Sequence, residues 1–176
     1  LFFFFFTATS QQPHTYYFQN SFSEGGGVGP SLVEVLSGSA TTGSYPSQII
    51  TTSDGNCGET SQTVFAFNEG GGLSYTNNSY ISGTYTIHIF FKFNSPMSTS
   101  YKRVIDFKNS TSDNGLYIRG NNLNFYPTGD QGTTNFFVAD KYYLITLVRN
   151  AATNIVKVYV NGTLFVSSYN DSNSYY

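Results

Sequence analysis

The sequence predicts an all-β fold, an antiparallel β-sandwich, on three observations. Tyr and Phe make up the whole of an 18% aromatic content, and Gly, Asn and Ser fill much of the rest. Such residues favour strands joined by tight turns. Asn161-Gly162 sits between two alternating apolar runs within Tyr142–Ser168, and Asn-Gly is the strongest short signal for a type I′ hairpin. No segment carries a sustained helical period.

The elements follow in order along the chain. Thr15–Phe22 reads as a first strand, ended by the glycine turn Glu24–Pro30. Leu32–Leu36 reads as a second, short strand, and Gly38–Tyr45 as loop. Ser47–Thr52 and Gln62–Phe67 read as strands flanking an Asp54–Glu59 turn, and Gly70–Gly72 as a break before a short strand Leu73–Tyr75. Tyr85–Phe93 is the strongest strand: Tyr85, Ile87, Ile89, Phe91 and Phe93 share one face, and Thr86, His88, Phe90 and Lys92 the other. Arg103–Lys108 follows, then a hairpin of Gly115–Arg119 and Leu123–Tyr126 around Gly120-Asn121-Asn122. In the C-terminal triple strand a two-residue loop sets Val158 opposite Phe165 and Tyr159 opposite Leu164, with Val156, Val158, Val160 and Phe165 on one apolar face. Many short strands with such turns argue for a sandwich or jelly roll in a single domain.

Charge narrows the function. Only 10% of residues are charged and the net charge is −2. The eight Lys and Arg are scattered, which argues against a nucleic-acid partner. Leu1–Phe6 is too short to span a membrane. It resembles the end of a signal-peptide apolar region, with Ala8-Thr9-Ser10 as a small-residue cleavage site. Residues 1–10 are therefore read as a signal-peptide remnant and 11–176 as the domain, with a secreted or cell-surface location and no membrane insertion. Cys57, the single cysteine, lies in a Gly/Asn turn without a histidine placed to activate it, and is read as structural or unpaired.

In order, FNEGGGLSY (67–75), ISGTYTIHIFFKF (81–93), RVIDFKNSTSDNGLYI (103–118) and ADKYYLITLVRN…IVKVYVNGTLF (139–165) resemble laminin G-like domains of the concanavalin A-like jelly-roll superfamily. Tyr142 stands where that family usually has Trp, and Tyr143-Leu144 replace its frequent His pair. The resemblance implies further closing strands after this chain's last residue, so the expectation is a domain clipped at both ends and belonging to a longer extracellular protein. It also implies a recognition or adhesion role, with a glycan or extracellular protein as partner, and Ca²⁺ as a cofactor at the rim.

Hydrolytic relatives on this fold carry Glu-x-Asp-x-x-Glu on one strand, and glycoside hydrolysis needs two carboxylates at the scissile bond. No such motif occurs here, and Glu24, Glu34, Glu59 and Glu69 are isolated from one another. The expectation is a non-catalytic chain, with a glycoside hydrolase and a ligand-free structural spacer as the alternatives. Calcium takes carboxylate, amide and carbonyl oxygens, and Asn109, Asp113, Asn114 and Asp130 are the candidate ligands. Turn formation explains the same Asx residues and ranks ahead of calcium. Asp106, between Ile105 and Phe107, needs a partner; an ion pair with Lys102, Arg103, Lys108, Arg119 or Arg149 is its preferred role. Sugar binding needs aromatic platforms beside polar groups: Tyr75, Tyr80, Tyr101, Tyr126 and Tyr159 are candidate platforms, with ordinary core or surface Tyr as the alternative, and Tyr126, Arg119, Asn124 and Tyr101 are the ligand-binding residues singled out, with Asn122 beside them. Four N-glycosylation sequons begin at Asn77, Asn109, Asn161 and Asn170, and carry little weight in so Asn- and Ser-rich a chain.

Overall fold

The computed structural model describes residues 14–18, 20–27, 29–51, 60–76, 83–94, 99–174 and 176. Leu1–Phe6, Ala8-Thr9-Ser10, the Asp54–Glu59 turn with Cys57, and the Asn77 sequon lie outside these residues. Every regular element described is a strand: β1 (Val33–Leu36), β2 (Ser47–Ile50), β3 (Thr60–Thr63), β4 (Gly71–Ser74), β5 (Tyr85–Phe91) and β6 (Tyr101–Asp106). The second half adds β7 (Gly115–Arg119), β8 (Asn122–Tyr126), β9 (Gly129–Gln131), β10 (Tyr143–Asn150), β11 (Ile155–Val160) and β12 (Thr163–Asn170). Two four-stranded antiparallel sheets, β12-β11-β10-β5 and β6-β7-β8-β9, are accompanied by the two-stranded pairs β1-β4 and β2-β3.

One core joins the two large sheets. From the first come Ile87, Ile89, Ile145, Leu147, Val156 and Val158; from the second, Leu116, Ile118, Leu123 and Phe125. These positions follow from the register. Leu147 pairs with both Ile87 and Val158, and Ile145 with both Ile89 and Val160, so apolar side chains stack in rows across three strands. Each such side chain removed from water contributes about 1.5–3 kcal/mol. The alternation expected for Tyr85–Phe91 is present, with Tyr85, Ile87, Ile89 and Phe91 in this core. On the opposite face Phe90 stacks on Tyr142 at 4.9 Å between ring centroids, and Ile50 of β2 joins them in a second small core. Lys92 Nζ donates to Gln48 Oε1 at 3.1 Å and lies over the Tyr142 ring. The β2-β3 pair is thus tied to the outside of the first sheet.

The Asn161-Gly162 turn has φ of 50° and 79° at its two residues, as a type I′ turn requires. Asn161 also clamps β10. Its Oδ1 accepts the Leu144 N–H and its own N–H donates to the Leu144 carbonyl, both at 2.8 Å. Tyr159 pairs with Leu164 as expected, but Val158 pairs with Val166, not with Phe165. A bulge in this hairpin takes up the difference, which lets Val166 enter the core while Phe165 packs at its edge.

Other boundaries also moved. Thr15–Phe22 is not a strand. Among the described residues it makes one isolated bridge, Tyr16 to Glu24, because the buried Glu24 carboxylate accepts the N–H groups of Thr15 (3.1 Å) and Gly26 (2.8 Å) and folds the segment back on itself. Gly71 and Gly72, expected to break the chain, pair with Leu36 and Val35 inside β4. The Gln62–Phe67 strand ends at Thr63, with Ala66 bridging separately to Ser44. The strand expected at Arg103–Lys108 runs instead from Tyr101 to Asp106.

The end of the chain holds the two sheets together. Arg149 of β10 is buried, and its Nε donates to Asp171 Oδ2 at 2.8 Å while Nη1 donates to the Gly83 carbonyl. The Tyr176 hydroxyl lies 3.0 Å from the Gly115 carbonyl and 2.9 Å from that of Tyr126, on the second sheet. Burial raises the pKa of this phenol. Asp171→Ala leaves a buried guanidinium without its carboxylate, and the expected loss is about 3–5 kcal/mol of unfolding free energy in urea.

A pH dependence follows from His88. Its Nδ1 lies 2.8 Å from Thr146 Oγ1, and burial lowers its pKa from the ordinary 6.5. The unfolded chain therefore takes up this proton at a higher pH than the folded one. Stability from this group is full above pH 6.5 and is lost as pH falls from there through the folded pKa. Denaturation midpoints measured across that window should fall in the wild type, and the fall should shrink in His88→Gln.

Candidate functional site

The outward face of the β6-β7-β8-β9 sheet gathers the candidate residues. Leu116 and Ile118 of β7, and Leu123 and Phe125 of β8, point into the core. Strand alternation then sends Tyr117 and Arg119, and Asn122, Asn124 and Tyr126, to the other side. Register brings in the neighbours: Tyr101 pairs with Arg119 and Arg103 with Tyr117 on β6, and Asp130 pairs with Asn124 on β9. The four expected ligand-binding residues, Tyr101, Arg119, Asn124 and Tyr126, therefore share one face.

Three tyrosines form the centre of this face. Tyr101, Tyr117 and Tyr126 meet edge to face, with centroids 5.6–6.0 Å apart. Such pairs add about 0.5–1.5 kcal/mol each beyond area burial. Tyr117 is buried and its phenol pKa is raised, mainly by that burial. Tyr101 is 45% exposed, which leaves a ring surface open to solvent. The Arg119 guanidinium lies over the Tyr101 ring at 5.2 Å.

On one flank, Arg103 uses its whole fork. Nη1 meets Asp106 Oδ2 at 3.0 Å and Ser110 Oγ at 3.0 Å, Nη2 meets Asp113 Oδ1 at 3.1 Å, and Nε donates to the Tyr117 hydroxyl at 3.1 Å. Asp106 also accepts the N–H groups of Lys108 (2.6 Å) and Ser110 (3.2 Å). The ion pair expected for Asp106 is thus made by Arg103. On the other flank, Asp130 accepts the side-chain amides of Asn122 (2.9 Å) and Asn124 (2.6 Å). That fixes the Asn124 amide with its nitrogen toward Asp130. Its Oδ1 is then buried with no hydrogen-bond partner among the described residues.

The four residues considered for calcium fall in two places. Asn109, Asp113 and Asn114 lie in the β6-β7 loop, and Asp130 lies on β9, with β7 and β8 between them. Asp113 already faces the Arg103 guanidinium and Asp130 two amide donors. As placed, these oxygens do not fit a shared Ca²⁺ shell, which needs six to eight converging oxygens. Among the described residues no three His, Cys, Asp or Glu side chains group as a metal site. Of the sequons, Asn161 is held in the hairpin turn and Asn109 and Asn170 are exposed.

A scan of protein-family models, a search of curated proteins and a search of solved structures each found no match to this chain.

Tyr117 and Arg103 had no place in the site as read from the sequence, although alternation from the core residue Ile118 would have put Tyr117 beside Arg119. Arg103 holds two carboxylates and a phenol at once, so charge alone does not replace it. Both Arg103→Ala and Arg103→Lys are expected to lower stability, by about 1 kcal/mol given the solvent exposure of the pair. Urea unfolding of the two variants checks this; a wild-type midpoint for Arg103→Lys would show that the fork geometry is immaterial.

Proposed function

We propose that this chain is a non-catalytic recognition module that binds glycan on the outward face of the β6-β7-β8-β9 sheet. One observation carries the reading: an exposed tyrosine ring, an arginine without a hydrogen bond or ion pair among the described residues, and an exposed carboxylate, Asp130, held by two Asn amides stand on a single sheet face. Sugars offer apolar C–H faces and many hydroxyls, and this mixture of a flat ring and fixed polar groups matches both. A binding constellation on strands is also held more precisely than one on loops.

The nearby carboxylates favour binding over hydrolysis. Asp106 and Asp113 face Arg103, and Asp130 faces two amides. Glycoside hydrolysis needs two carboxyls facing the scissile bond, and these three are already engaged by a guanidinium or by side-chain amides. The apolar Leu1–Phe6 run and the small residues after it resemble the end of a signal peptide, which supports a secreted or cell-surface location for the module.

Isothermal titration against a broad panel of neutral and acidic oligosaccharides, with and without added Ca²⁺, tests the reading. Tyr101→Ala and Tyr126→Ala should each weaken the best glycan about tenfold, a change of ~1.4 kcal/mol. Tyr101→Phe, which keeps the ring, should retain most of the affinity. Absence of heat for every glycan in both conditions would overturn the proposal.

A further inference from the structure

We infer that the face selects acidic sugars, with Arg119 reading the carboxylate of a uronic acid residue; this rests on the glycan-binding reading above. The polar groups of the face differ in how far they are already engaged. Arg103 is saturated by Asp106, Asp113, Ser110 and Tyr117. Asp130 is held by Asn122 and Asn124. Arg119 differs: it is exposed, and among the described residues it makes no hydrogen bond and no ion pair, only its contact with the Tyr101 ring. Its planar fork of donors is therefore presented to solvent in a restrained orientation. A carboxylate fits that fork in two parallel charge-assisted hydrogen bonds, the arrangement that distinguishes Arg from Lys.

The same face carries a direction. Arg119 pairs with Asn122, and the Asn122 amide in turn donates to Asp130. Arg119 and Asp130 thus stand on β7 and β9, two interstrand spacings apart and staggered by two residues along the strands, about 12 Å in all. That distance suits a disaccharide lying across the strands. Its carboxylate would meet Arg119, its ring face would lie against Tyr101, and hydroxyls further along would donate to the exposed Asp130 carboxylate. A second carboxylate at the Asp130 end is repelled, so the face favours one negative group at the β7 end over a uniformly anionic chain.

The test compares an aldobiouronic acid, a disaccharide with a single uronic acid residue, with its methyl ester, which keeps the size and ring hydroxyls but lacks charge. Titration should give at least about tenfold tighter binding for the acid, with the difference reduced by salt. Arg119→Gln should bring the acid down to the level of the ester, and Arg119→Lys should restore only part of the gap. Equal binding of acid and ester, or an acid preference that survives Arg119→Gln, overturns the inference. Lack of binding by both forms also overturns it. The two readings separate on a neutral panel glycan: if one binds and is lost in Tyr101→Ala, the platform stands although the acidic preference falls.

Discussion

The alternation of side chains across the β6-β7-β8-β9 sheet couples the core to the outward face. Leu116, Ile118, Leu123 and Phe125 are each fully buried. Their burial leaves no freedom in where Tyr117, Arg119, Asn122, Asn124 and Tyr126 point, because a slip of one residue would exchange the two sets. The candidate site therefore needs no separate ordering energy for its backbone. The apolar side of the sheet supplies it, and the tyrosines add their own edge-to-face contacts. A site made this way is as rigid as the sandwich itself.

Two arginines show how burial decides what an ion pair does. Arg149 and Asp171 are almost wholly removed from water, and the pair links β10 to the segment after β12. Desolvation is costly there, so the pair adds little net stability while its disruption is severe. Arg103 is more exposed, and its pairs with Asp106 and Asp113 are screened. Its role is positional. It spans the β6-β7 loop and the Tyr117 hydroxyl, and so sets the border of the tyrosine cluster. Tyr176 completes the connection from the other direction, since its hydroxyl reaches carbonyls at Gly115 and Tyr126, the two residues paired across β7 and β8.

What could be read from the sequence was what local physics determines. The Asn161-Gly162 turn, the faces of Tyr85–Phe91 and the β7-β8 hairpin all follow from period-two patterning and turn chemistry. The same alternation, with the strand register, explains why Tyr101, Arg119, Asn124 and Tyr126, singled out by residue type, fall on one face. Long-range pairing was not legible. β1 with β4 depends on residues some forty positions apart, and glycines that look like breakers serve there as strand. The turn back at Tyr16–Glu24 depends on one buried carboxylate joining the N–H of Thr15, nine residues before it, to that of Gly26, two residues after. The bulge at Val158 arises because the core prefers Val166 to Phe165 at that depth, a packing choice with no local signature.

Asn124 joins these two levels. Asparagine is a poor strand residue, and here it occupies the middle of a central strand with a buried carbonyl oxygen that lacks a donor among the described residues. An orphaned acceptor of that kind costs about 1–3 kcal/mol. What the residue provides is its amide, which together with that of Asn122 grips Asp130. The three-residue β9, Gly-Asp-Gln, has almost no strand propensity of its own and no apolar side chain to bury. Its attachment to the sheet rests on backbone pairing and on this carboxylate. Replacing Asn124 with Val would suit the strand and remove the orphan, yet it would free Asp130 and loosen the edge that carries it. Departures from local preference concentrate where a fold carries function, and this one fixes the acidic end of the proposed binding face opposite Arg119.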